Sequence, residues 1–361
     1  MPNALEIDFI PVGENSKSGD AIGIRFGDYE SGTWKNQTVI VIDGGNADSG
    51  ATLVNHINEV YKTNKVDRAI LTHPDGDHAS GLRTVVEECE VGKIWMHRPW
   101  NHWSDLKDSI KDGRITRSSF GERLKNAYQF AFDIEQIAKR KGIEIFAPHQ
   151  GNYFHIKDEK ILSILGPGKD FYLSLIKASD KTPHMGIAEG LSKSFAEVEK
   201  ITAYEDMTME TEHLSDQDEE TSSENNMSLI LYLTVAGRKV LFTGDAGTMG
   251  LYKAIHYALE KQIDLKILDR FQVPHHGSRH NISKGILKYI HAPNAWISCA
   301  KKGAPVHPSK IVTNALRRRG IVPLETKGSL LTHHTSNVPM RAGYSEAVPI
   351  PFYNMVEIPA D

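Results

Sequence analysis

The sequence predicts an α/β protein that folds as a four-layer αββα sandwich. Short runs rich in β-branched residues alternate with helical patterns in both halves of the chain. In each half a predicted strand leads into a group of side chains of the kind that bind metals, first at 72–78 and again at 243–247. Two halves of this similar make-up fit two packed sheets, with helices on the outer faces and one site between the sheets.

The individual elements follow from the hydrophobic pattern. In the first half we predict helices at 51–61 and 119–141. Strands are predicted there at 5–12, 20–28, 37–43, 66–71, from 94, and at 143–147, 153–157 and 161–165. In the second half we predict a hairpin at 229–235 and 239–243, helices at 248–261 and 309–319, and strands at 267–273, 295–298 and as a pair at 321–333. Ser119 and Glu122 match a capping box, and Gly142 is expected to end the helix that it opens.

The chain of 361 residues is expected to form one domain, 1–361, with two insertions. Residues 95–142 are predicted to be a helical insertion at the edge of the site. Residues 180–226 are predicted to be a flexible acidic insertion, because 204–224 contains nine carboxylates and no Lys or Arg. A solubilising surface loop is favoured there over a lid or an anion mimic that competes for the site.

Composition limits the cellular setting and the partners. The formal net charge of −4 and the pI near 6.5 give no global basic field of the kind that long nucleic acids attract. Cys89 and Cys299 lie in apolar sequence and are expected to pack as small hydrophobic residues in a reducing compartment. There is no basic and apolar leader and no apolar run near about 18 residues, so we predict a cytoplasmic protein without a membrane partner.

Residues 72–78 hold the densest group of ligand-type side chains. Two imidazoles and two carboxylates fall within six positions: His73, Asp75, Asp77 and His78. Such ligands suit zinc, manganese or iron, and the Cys pairs of a structural zinc site are absent. Pro74 and Gly76 interrupt regular structure, so the four side chains are expected to leave an irregular turn and surround one point. A helix is predicted to follow from Ala79, with its N-terminus toward the metal.

This segment resembles the His-x-His-x-Asp-His signature of the metallo-β-lactamase fold, in the variant with Asp in place of the second His. The closest resemblance is to the hydrolase domain of ComEC-type DNA-uptake (competence) proteins, here expected to stand alone without the membrane channel. Further segments resemble that family in the same order: Asp8–Gly13, Gly19–Ala21, Val39–Gly45, Asn226–Leu229, Leu241–Gly247, Val273–Ser278, Val306–Pro308 and Thr326–Gly328. The resemblance implies a metallo-β-lactamase sandwich and covers most of the chain except about 95–225.

The resemblance also implies a centre of one or two divalent metal ions, zinc or manganese. It assigns seven metal ligands: His73, Asp75, Asp77, His78, Asp245, His275 and His276. His73 and Asp75 would serve the first metal position. Asp77, His78 and one histidine of the adjacent pair would serve the second, and Asp245 would bridge the two. His276 is favoured within its pair because Gly277 allows close backbone approach.

Two further residues are expected beside the ligands. Asp43 is predicted to accept a hydrogen bond from a metal-bound histidine, since the fold usually places a strand-end aspartate beneath the site. The third motif of the fold usually supplies another His, where this chain has Asn225 to Ser228. Asn226 is therefore expected to add an amide oxygen at most. The oxygen-rich set favours Mn²⁺ over Zn²⁺, or one tight ion and a second that arrives with substrate.

Cations and loop donors near these motifs favour an anionic substrate. Five residues are predicted to contact it: Arg98, Ser278, Arg279, Lys301 and Lys302. Arg98 belongs to a stretch, 95–103, whose three tryptophans form either a stacking surface or a side core, and the sequence leaves both open. Asp77 and His307 are the predicted catalytic residues. His307 is expected to hold a phosphate or protonate the leaving group, with a capped loop histidine as the alternative.

The combined prediction is a metal-dependent phosphodiesterase or nuclease, in which a metal-activated hydroxide attacks phosphorus in DNA or RNA. Two alternatives stay open. One is a hydrolase of a small ester, lactone or nucleotide. The other is a gated effector module of a multi-protein system, such as a defence system, in which the acidic insertion closes an incomplete site. A nucleic acid or nucleotide is the expected binding partner, and partner proteins are not predicted.

Overall fold

The computed structural model describes residues 2–14, 18–110, 114–183, 200–217, 221–303 and 306–359. The strands in these ranges are β1 (Ala4–Phe9), β2 (Ile22–Glu30), β3 (Thr33–Ile42), β4 (Lys65–Val66), β5 (Arg68–Ile70), β6 (Glu90–Val91), β7 (Lys93–Trp95), β8 (Glu144–Phe146), β9 (Tyr153–Ile156), β10 (Glu159–Gly166), β11 (Lys200–Tyr204), β12 (Ile230–Val235), β13 (Arg238–Phe242), β14 (Arg270–Gln272), β15 (Asn294–Ile297), β16 (Val322–Glu325), β17 (Leu331–His334) and β18 (Met355–Pro359).

The α-helices of the same ranges are α1 (Ala47–Glu59), α2 (Gly76–Glu88), α3 (Trp103–Leu106), α4 (Arg117–Ala127), α5 (Gln129–Lys141), α6 (Lys169–Ala178), α7 (Ser223–Asn226), α8 (Thr248–Glu260) and α9 (Lys310–Arg318). Within these described ranges, no helix is both long enough and apolar enough to span a membrane.

Two seven-stranded sheets form the centre of the molecule. The first has the order β17-β1-β2-β3-β5-β7-β8 and the second the order β16-β15-β14-β13-β12-β10-β9. In the first sheet β3, β5, β7 and β8 run parallel, and in the second β13, β14, β15 and β16 do. The carboxyl ends of parallel strands share one edge of a sheet, where α/β proteins bind their ligands. Each sheet therefore offers one such edge to the site.

Side-chain alternation along the strands builds the layers. On β3, Ile40 and Ile42 enter the apolar cluster between the two sheets, whereas Val39 and Val41 enter the cluster beneath the first helical layer. On β12, Leu231 faces the other sheet and Ile230 faces the second helical layer. Both faces of these strands are buried because successive side chains point to opposite faces of a sheet. The predicted four-layer αββα sandwich is confirmed.

Several element predictions differ in detail from the structure. The predicted helix over 119–141 is two helices, α4 and α5, because Tyr128 between them leaves the helical region at φ −117° and ψ 47°. The N-cap of α4 is Thr116, whose hydroxyl accepts the backbone N–H of Ser119, and the hydroxyl of Ser119 accepts the backbone N–H of Thr116. The predicted capping box of Ser119 and Glu122 is therefore wrong. The two strands predicted at 321–333 do not pair with each other, since β16 joins the second sheet and β17 joins the first.

Residues 95–142 lie against the first helical layer. Trp100, Leu106, Phe120 and Leu124 are buried in the same apolar cluster as α1 and α2. The aromatic stretch therefore packs as core. Trp95 is 3% and Trp100 4% exposed, and the indole N–H of Trp100 donates to Glu135. The sequence leaves a stacking surface and a side core open. At Trp95 and Trp100 the structure has the side core.

The acidic stretch also differs from the expectation of a flexible loop where it is described. β11 pairs with β18, and Glu205 is fully buried in an ion pair with Arg318. Glu212 pairs with Arg319 in the same way. Both arginines belong to the end of α9, more than 100 positions away in the sequence. Composition within the stretch could not show these counterions. Residues 184–199 and 218–220 of the predicted insertion lie outside the described residues.

Candidate metal centre

Four loops that follow parallel strands bring the polar side chains together. Asp43 follows β3, His73 follows β5, Asp245 follows β13, and the His275–His276 pair follows β14. The residues Asp43, His73, Asp245 and His276 are each at most 4% exposed. Because these strands end at the facing edges of the two sheets, the site lies between the sheets, as predicted from the two similar halves.

Asp43 fixes the orientation of His78. Its Oδ2 accepts from Nδ1 of His78 at 2.8 Å and from the hydroxyl of Thr72 at 2.6 Å, while its Oδ1 accepts the backbone N–H of Thr72 at 2.8 Å. A carboxylate can only accept here, so Nδ1 of His78 carries the proton. When His78 is neutral, its lone pair is therefore on Nε2, the atom that would bind a metal ion while Asp43 holds the proton on Nδ1.

The same reasoning sets the tautomer of His73. The Thr72 hydroxyl gives its only proton to Asp43, so it can only accept from Nδ1 of His73, 3.1 Å away. The Oγ of Ser228 lies 3.3 Å from the same nitrogen and accepts the backbone N–H of Asp245 at 3.1 Å. His73 thus also presents an unprotonated Nε2.

The adjacent histidines of the second sheet complete the pattern. Nδ1 of His276 donates to the backbone carbonyl of Ser298 at 2.8 Å. Nδ1 of His275 lies 2.8 Å from Oδ1 of Asn281, whose amide N–H groups are directed at backbone carbonyls, including that of Asp245 at 2.9 Å. Asn281 therefore accepts from His275. All four imidazoles direct their Nε2 lone pairs away from these anchors.

The four Nε2 atoms converge on the carboxylate of Asp245. The distances to its nearer oxygens are 3.4 Å from His78, 3.6 Å from His276, 3.7 Å from His275 and 3.9 Å from His73. These separations are longer than the roughly 2.7–3.2 Å that is usual for an N–H···O hydrogen bond. They approach the edge of a tetrahedron of ligands placed at about 2.1 Å from a central ion, which is about 3.4 Å.

A divalent cation fits this group of donors. The Nε2 atoms of His73, His78 and His276 and the Oδ1 of Asp245 are buried without a hydrogen-bond partner. Buried polar atoms are normally paired, so four orphaned acceptors around one carboxylate favour a positive charge between them. His73, His78 and Asp245 form one group whose ligand atoms all lie within 4.8 Å of one another.

The sequence did not predict a role for Asp20, which lies on the Nδ1 side of His78 and His276. Its oxygens are 3.9 Å from Nδ1 of His78 and 3.9 Å from Nδ1 of His276, both of which already donate elsewhere. Nε2 of Gln272 donates to Asp20 at 2.6 Å, and Oε1 of Gln272 accepts from the N–H groups of Thr243 and Gly244. Asp20 belongs to two of the three candidate ligand groups found among the described residues, and its Oδ1 has no hydrogen-bond partner. The sequence signal that could have identified Asp20 is its charge within the otherwise apolar segment that begins at Gly19–Ala21.

Electrostatics concentrate negative charge at the centre. Burial lowers the pKa of His276 to about 4 and, together with the nearby His78, holds that of His73 well below its usual range. Burial would also lower the pKa of His78, but the carboxylates of Asp245 and Asp43 outweigh it and raise that pKa well above its usual value. Burial raises the pKa of Asp20 to about 7. Without a cation, the carboxylates therefore draw a proton onto His78.

Backbone strain marks the same residues. Asp43, His275 and His276 have φ values of 55°, 46° and 57°, in the left-handed region that non-glycine residues seldom adopt. Such conformations cost about 1–3 kcal/mol each and persist where the surrounding structure imposes them, often at functional sites. Close packing also helps, since a Cβ at Gly44 would lie 1.9 Å from the backbone nitrogen of Leu82. The loop of Asp43 can therefore lie directly against α2.

The structure separates Asp77 from the other predicted ligands, whereas Asp75 lies beside His73. α2 begins at Gly76, three residues earlier than predicted, so Asp77 and His78 are neighbours in its first turn. Adjacent helical residues do not face the same way, and Asp77 is half-exposed and in none of the candidate groups found among the described residues. Oδ2 of Asp75 is 4.0 Å from Nε2 of His73, and its Oδ1 accepts from Lys181.

The third-motif segment contributes through residues other than Asn226. Oδ1 of Asn226 accepts the N–H of Gly250 in α8, so its amide supports that helix and not the metal position. Nδ2 of Asn225 lies 3.3 Å from Nδ1 of His275, and Ser228 contacts His73. The amide oxygen expected from Asn226 is therefore not directed at the ligands, and Asn225 and Ser228 lie beside two of the histidines instead. Ser228 stood in the motif that the sequence singled out.

The predicted substrate residues are dispersed. Arg98 donates to the buried Glu135 of α5 at 3.1 Å, which ties it to the helical layer. Ser278 is buried with its hydroxyl accepting from the N–H of His280, whereas Arg279 is half-exposed. Lys301 and Lys302 are exposed, and Nζ of Lys301 lies 3.7 Å from Glu14.

His307 lies beside the histidine pair. Its ring centroid is 5.8 Å from that of His275 and 6.2 Å from that of His276. A Cβ at Gly277 would lie 2.6 Å from Cβ of Pro308, so only glycine lets this segment approach so closely. Burial, with the neighbouring imidazoles, lowers the pKa of His307 to about 3. The side chain is then neutral at pH 7, which favours hydrogen bonding over the predicted protonation of a leaving group.

A family model described as the metallo-beta-lactamase superfamily matches residues 34–301. ComE operon protein 3 of Bacillus subtilis (strain 168) is 27% identical over 113 residues, which are 31% of this chain and 14% of that protein. The match therefore spans about a seventh of that relative's length.

Solved structures with a similar arrangement include a new diphosphatase from the PhnP family. It has a TM-score of 0.40 and 11% identity, with 92% of this chain and 99% of that chain covered. A putative metallo-beta-lactamase from Thermotoga maritima has a TM-score of 0.35 and 10% identity, with 73% and 94% covered.

Proposed function

Because this chain belongs to the metallo-beta-lactamase superfamily, we propose that it is a metal-dependent hydrolase that cleaves phosphodiesters in DNA or RNA. The observation that carries the metal dependence is the convergence of four Nε2 lone pairs on the buried carboxylate of Asp245. A structural role explains such an arrangement poorly, since an apolar core would be more stable than four unpaired polar atoms.

A divalent ion held here would act as a Lewis acid and lower the pKa of water. His73, His78, His276 and Asp245 would hold it. Asp43, Thr72 and Ser298 keep the imidazoles in the ligating tautomer, as their hydrogen bonds require. Fixed orientation of the ligands matters because a misplaced ligand loses affinity and activity together.

An anionic substrate is supported by the side chains around the centre. Arg279 follows the histidine pair in sequence, and the ammonium of Lys181 donates to Asp75 at 2.9 Å. The neutral His307 beside His275 can donate a hydrogen bond to a phosphoryl oxygen. The resemblance of the sequence motifs to the DNA-uptake family supports a nucleic acid, and the net charge of −4 favours single strands over long duplexes.

The test uses the purified chain with Mn²⁺ or Zn²⁺ and four substrates in parallel: single-stranded DNA, duplex DNA, RNA and bis-p-nitrophenyl phosphate. We expect metal-dependent cleavage that falls by at least about 100-fold in Asp245→Asn. Cleavage of only the small diester would indicate a nucleotide phosphodiesterase. Metal-dependent hydrolysis of lactones or thioesters without any phosphodiester cleavage would contradict the proposal. A metal-loaded protein inactive on every substrate would favour the gated effector module.

A further inference from the structure

Lys181 holds the carboxylate that stands where the fold signature has its second histidine. Its Nζ donates to Oδ1 of Asp75 at 2.9 Å, while Oδ2 of Asp75 is 4.0 Å from Nε2 of His73. The ammonium group is therefore next to the position that a metal ion bound by His73 and Asp75 would occupy. Lys181 lies three residues beyond the end of α6, far in sequence from the 72–78 segment.

The ammonium group is placed by buried partners. It is 3.9 Å from Oε1 of Glu224 and 4.7 Å from the ring centroid of Tyr128. Glu224 is 6% exposed, and the hydroxyl of Tyr128 donates to it at 2.7 Å. Arg123 also donates to the backbone carbonyl of Lys181 at 3.1 Å. Two carboxylates and one aromatic face thus hold a single positive charge in a defined place.

The adjacent metal position is short of ligands. Ser228 lies in the third-motif segment, and its Oγ is already engaged by His73 and by the N–H of Asp245. The amide N–H of Asn225 donates to the hydroxyl of Thr221 at 2.8 Å. Of the described residues, His73 and Asp245 would already serve the other ion, and Nε2 of His275 lies 3.7 Å from Asp245. Asp75 is the ligand particular to this position, and it is the one that Lys181 neutralises.

We propose that Lys181 replaces the second metal ion, so that the centre binds one divalent ion at Asp245 with His73, His78 and His276 and excludes another at Asp75. A divalent ion beside Asp75 would be repelled by the ammonium a few ångströms away, and the remaining ligands are too few to compensate. Lys181 is thus a positioning residue that sets the metal content of the centre. This inference rests on the proposed metal-dependent function.

The experiment counts metal ions on the whole chain. Metal-free protein is titrated with Mn²⁺ in a calorimeter, and the bound metal is measured by mass spectrometry after desalting. We expect one ion per chain in the wild type and a second binding event in Lys181→Met, in which Asp75 and Glu224 lose their counterion. Lys181→Arg keeps the charge and is expected to bind one ion. Lys177→Met, an exposed change in the last turn of α6, is the matched control and is also expected to bind one.

Two tight ions in the wild type would overturn the inference, and so would a single ion in a folded Lys181→Met. If Lys181→Met fails to fold by circular dichroism, Lys181→Gln takes its place under the same criterion. A wild type that binds no metal would overturn both this inference and the proposed function. A wild type with one ion and the expected second ion in Lys181→Met, but without phosphodiester cleavage, would contradict the proposed function alone.

Discussion

Nδ1 of His78, in the first turn of α2, donates to Oδ2 of Asp43 at 2.8 Å, across the junction between that helix and the end of β3. Asp43 receives three hydrogen bonds in all, two of them from Thr72. One buried carboxylate therefore orients His78 and, through Thr72, His73. Both imidazoles of the first sheet depend on it for their ligating tautomer.

Asp43→Asn should weaken metal binding by about 10–100-fold while the fold is retained. An amide has one acceptor oxygen, and its N–H group would face a donor in place of an acceptor. Calorimetric titration with Mn²⁺ and Zn²⁺ measures the affinity. Asp48→Asn, an exposed change in the first turn of α1, is the matched control. Equal affinity in Asp43→Asn and wild type would show that the tautomers are set in another way.

Ser228→Ala should lower the free energy of unfolding by about 1–3 kcal/mol, because the buried N–H of Asp245 loses its acceptor. His73 loses a neighbour at the same time, so metal affinity should fall as well. Urea denaturation of the metal-free protein separates the two effects. Ser174→Ala on the exposed face of α6 serves as the control, since its hydroxyl bonds only within its own helix among the contacts described. A difference below about 0.5 kcal/mol between the two variants would contradict the assignment.

Metal should stabilise the folded chain, and Asp245→Asn should lose most of that stabilisation. A ligand at 100 times its Kd stabilises by about 2.7 kcal/mol when it binds only the folded state. Thermal unfolding with and without Mn²⁺ measures the shift. Asp77→Asn should reduce the shift less than Asp245→Asn, because Asp77 is outside the candidate groups of described residues. The opposite order would restore Asp77 as the ligand that the sequence predicts.

Glu205→Gln should cost about 3–5 kcal/mol, because it leaves the guanidinium of Arg318 buried without its counterion. Both side chains of this pair are 0% exposed, and Glu205 also accepts from Asn314 at 2.6 Å. Chemical denaturation provides the measurement, and the exposed Glu210→Gln is the control. A cost below about 1 kcal/mol would mean that the acidic stretch is not anchored by this pair.

Stability should fall with acid through His97. Burial, with the nearby His149, lowers the pKa of His97 to about 3, whereas the unfolded side chain titrates near about 6.5. Between these values the unfolded chain binds a proton that the folded chain does not, so stability is full above about pH 6.5 and falls toward pH 3. His97→Gln should reduce the slope by about 1.4 kcal/mol per pH unit.

Urea denaturation of metal-free protein at several values between pH 4 and pH 6 measures this slope. His256→Gln is the matched control, because His256 lies on the exposed face of α8 with its side chain 76% exposed. An unchanged slope in His97→Gln would mean that His97 is protonated in the folded state as readily as in the unfolded chain.

The sequence by itself determined the layered fold and most of the ligand types. Continuous apolar runs in β3 and β12 specify strands buried on both faces, and this local pattern is sufficient to predict the two sheets. The density of imidazole and carboxylate at 72–78 similarly marks a metal site without reference to the rest of the chain.

Only the tertiary structure decided which of those side chains meet. Asp77 and His78 are adjacent in sequence, but the first turn of α2 directs only His78 at Asp245. Asp20, Ser228 and Lys181 reach the centre from three other parts of the chain, and no local pattern records their distances. The same limit explains why the sequence did not predict the ion pairs of the acidic stretch, since their partners Arg318 and Arg319 lie at the end of α9. Local patterns report burial and backbone preference, whereas charge pairing and ligand geometry depend on contacts that folding creates between distant segments.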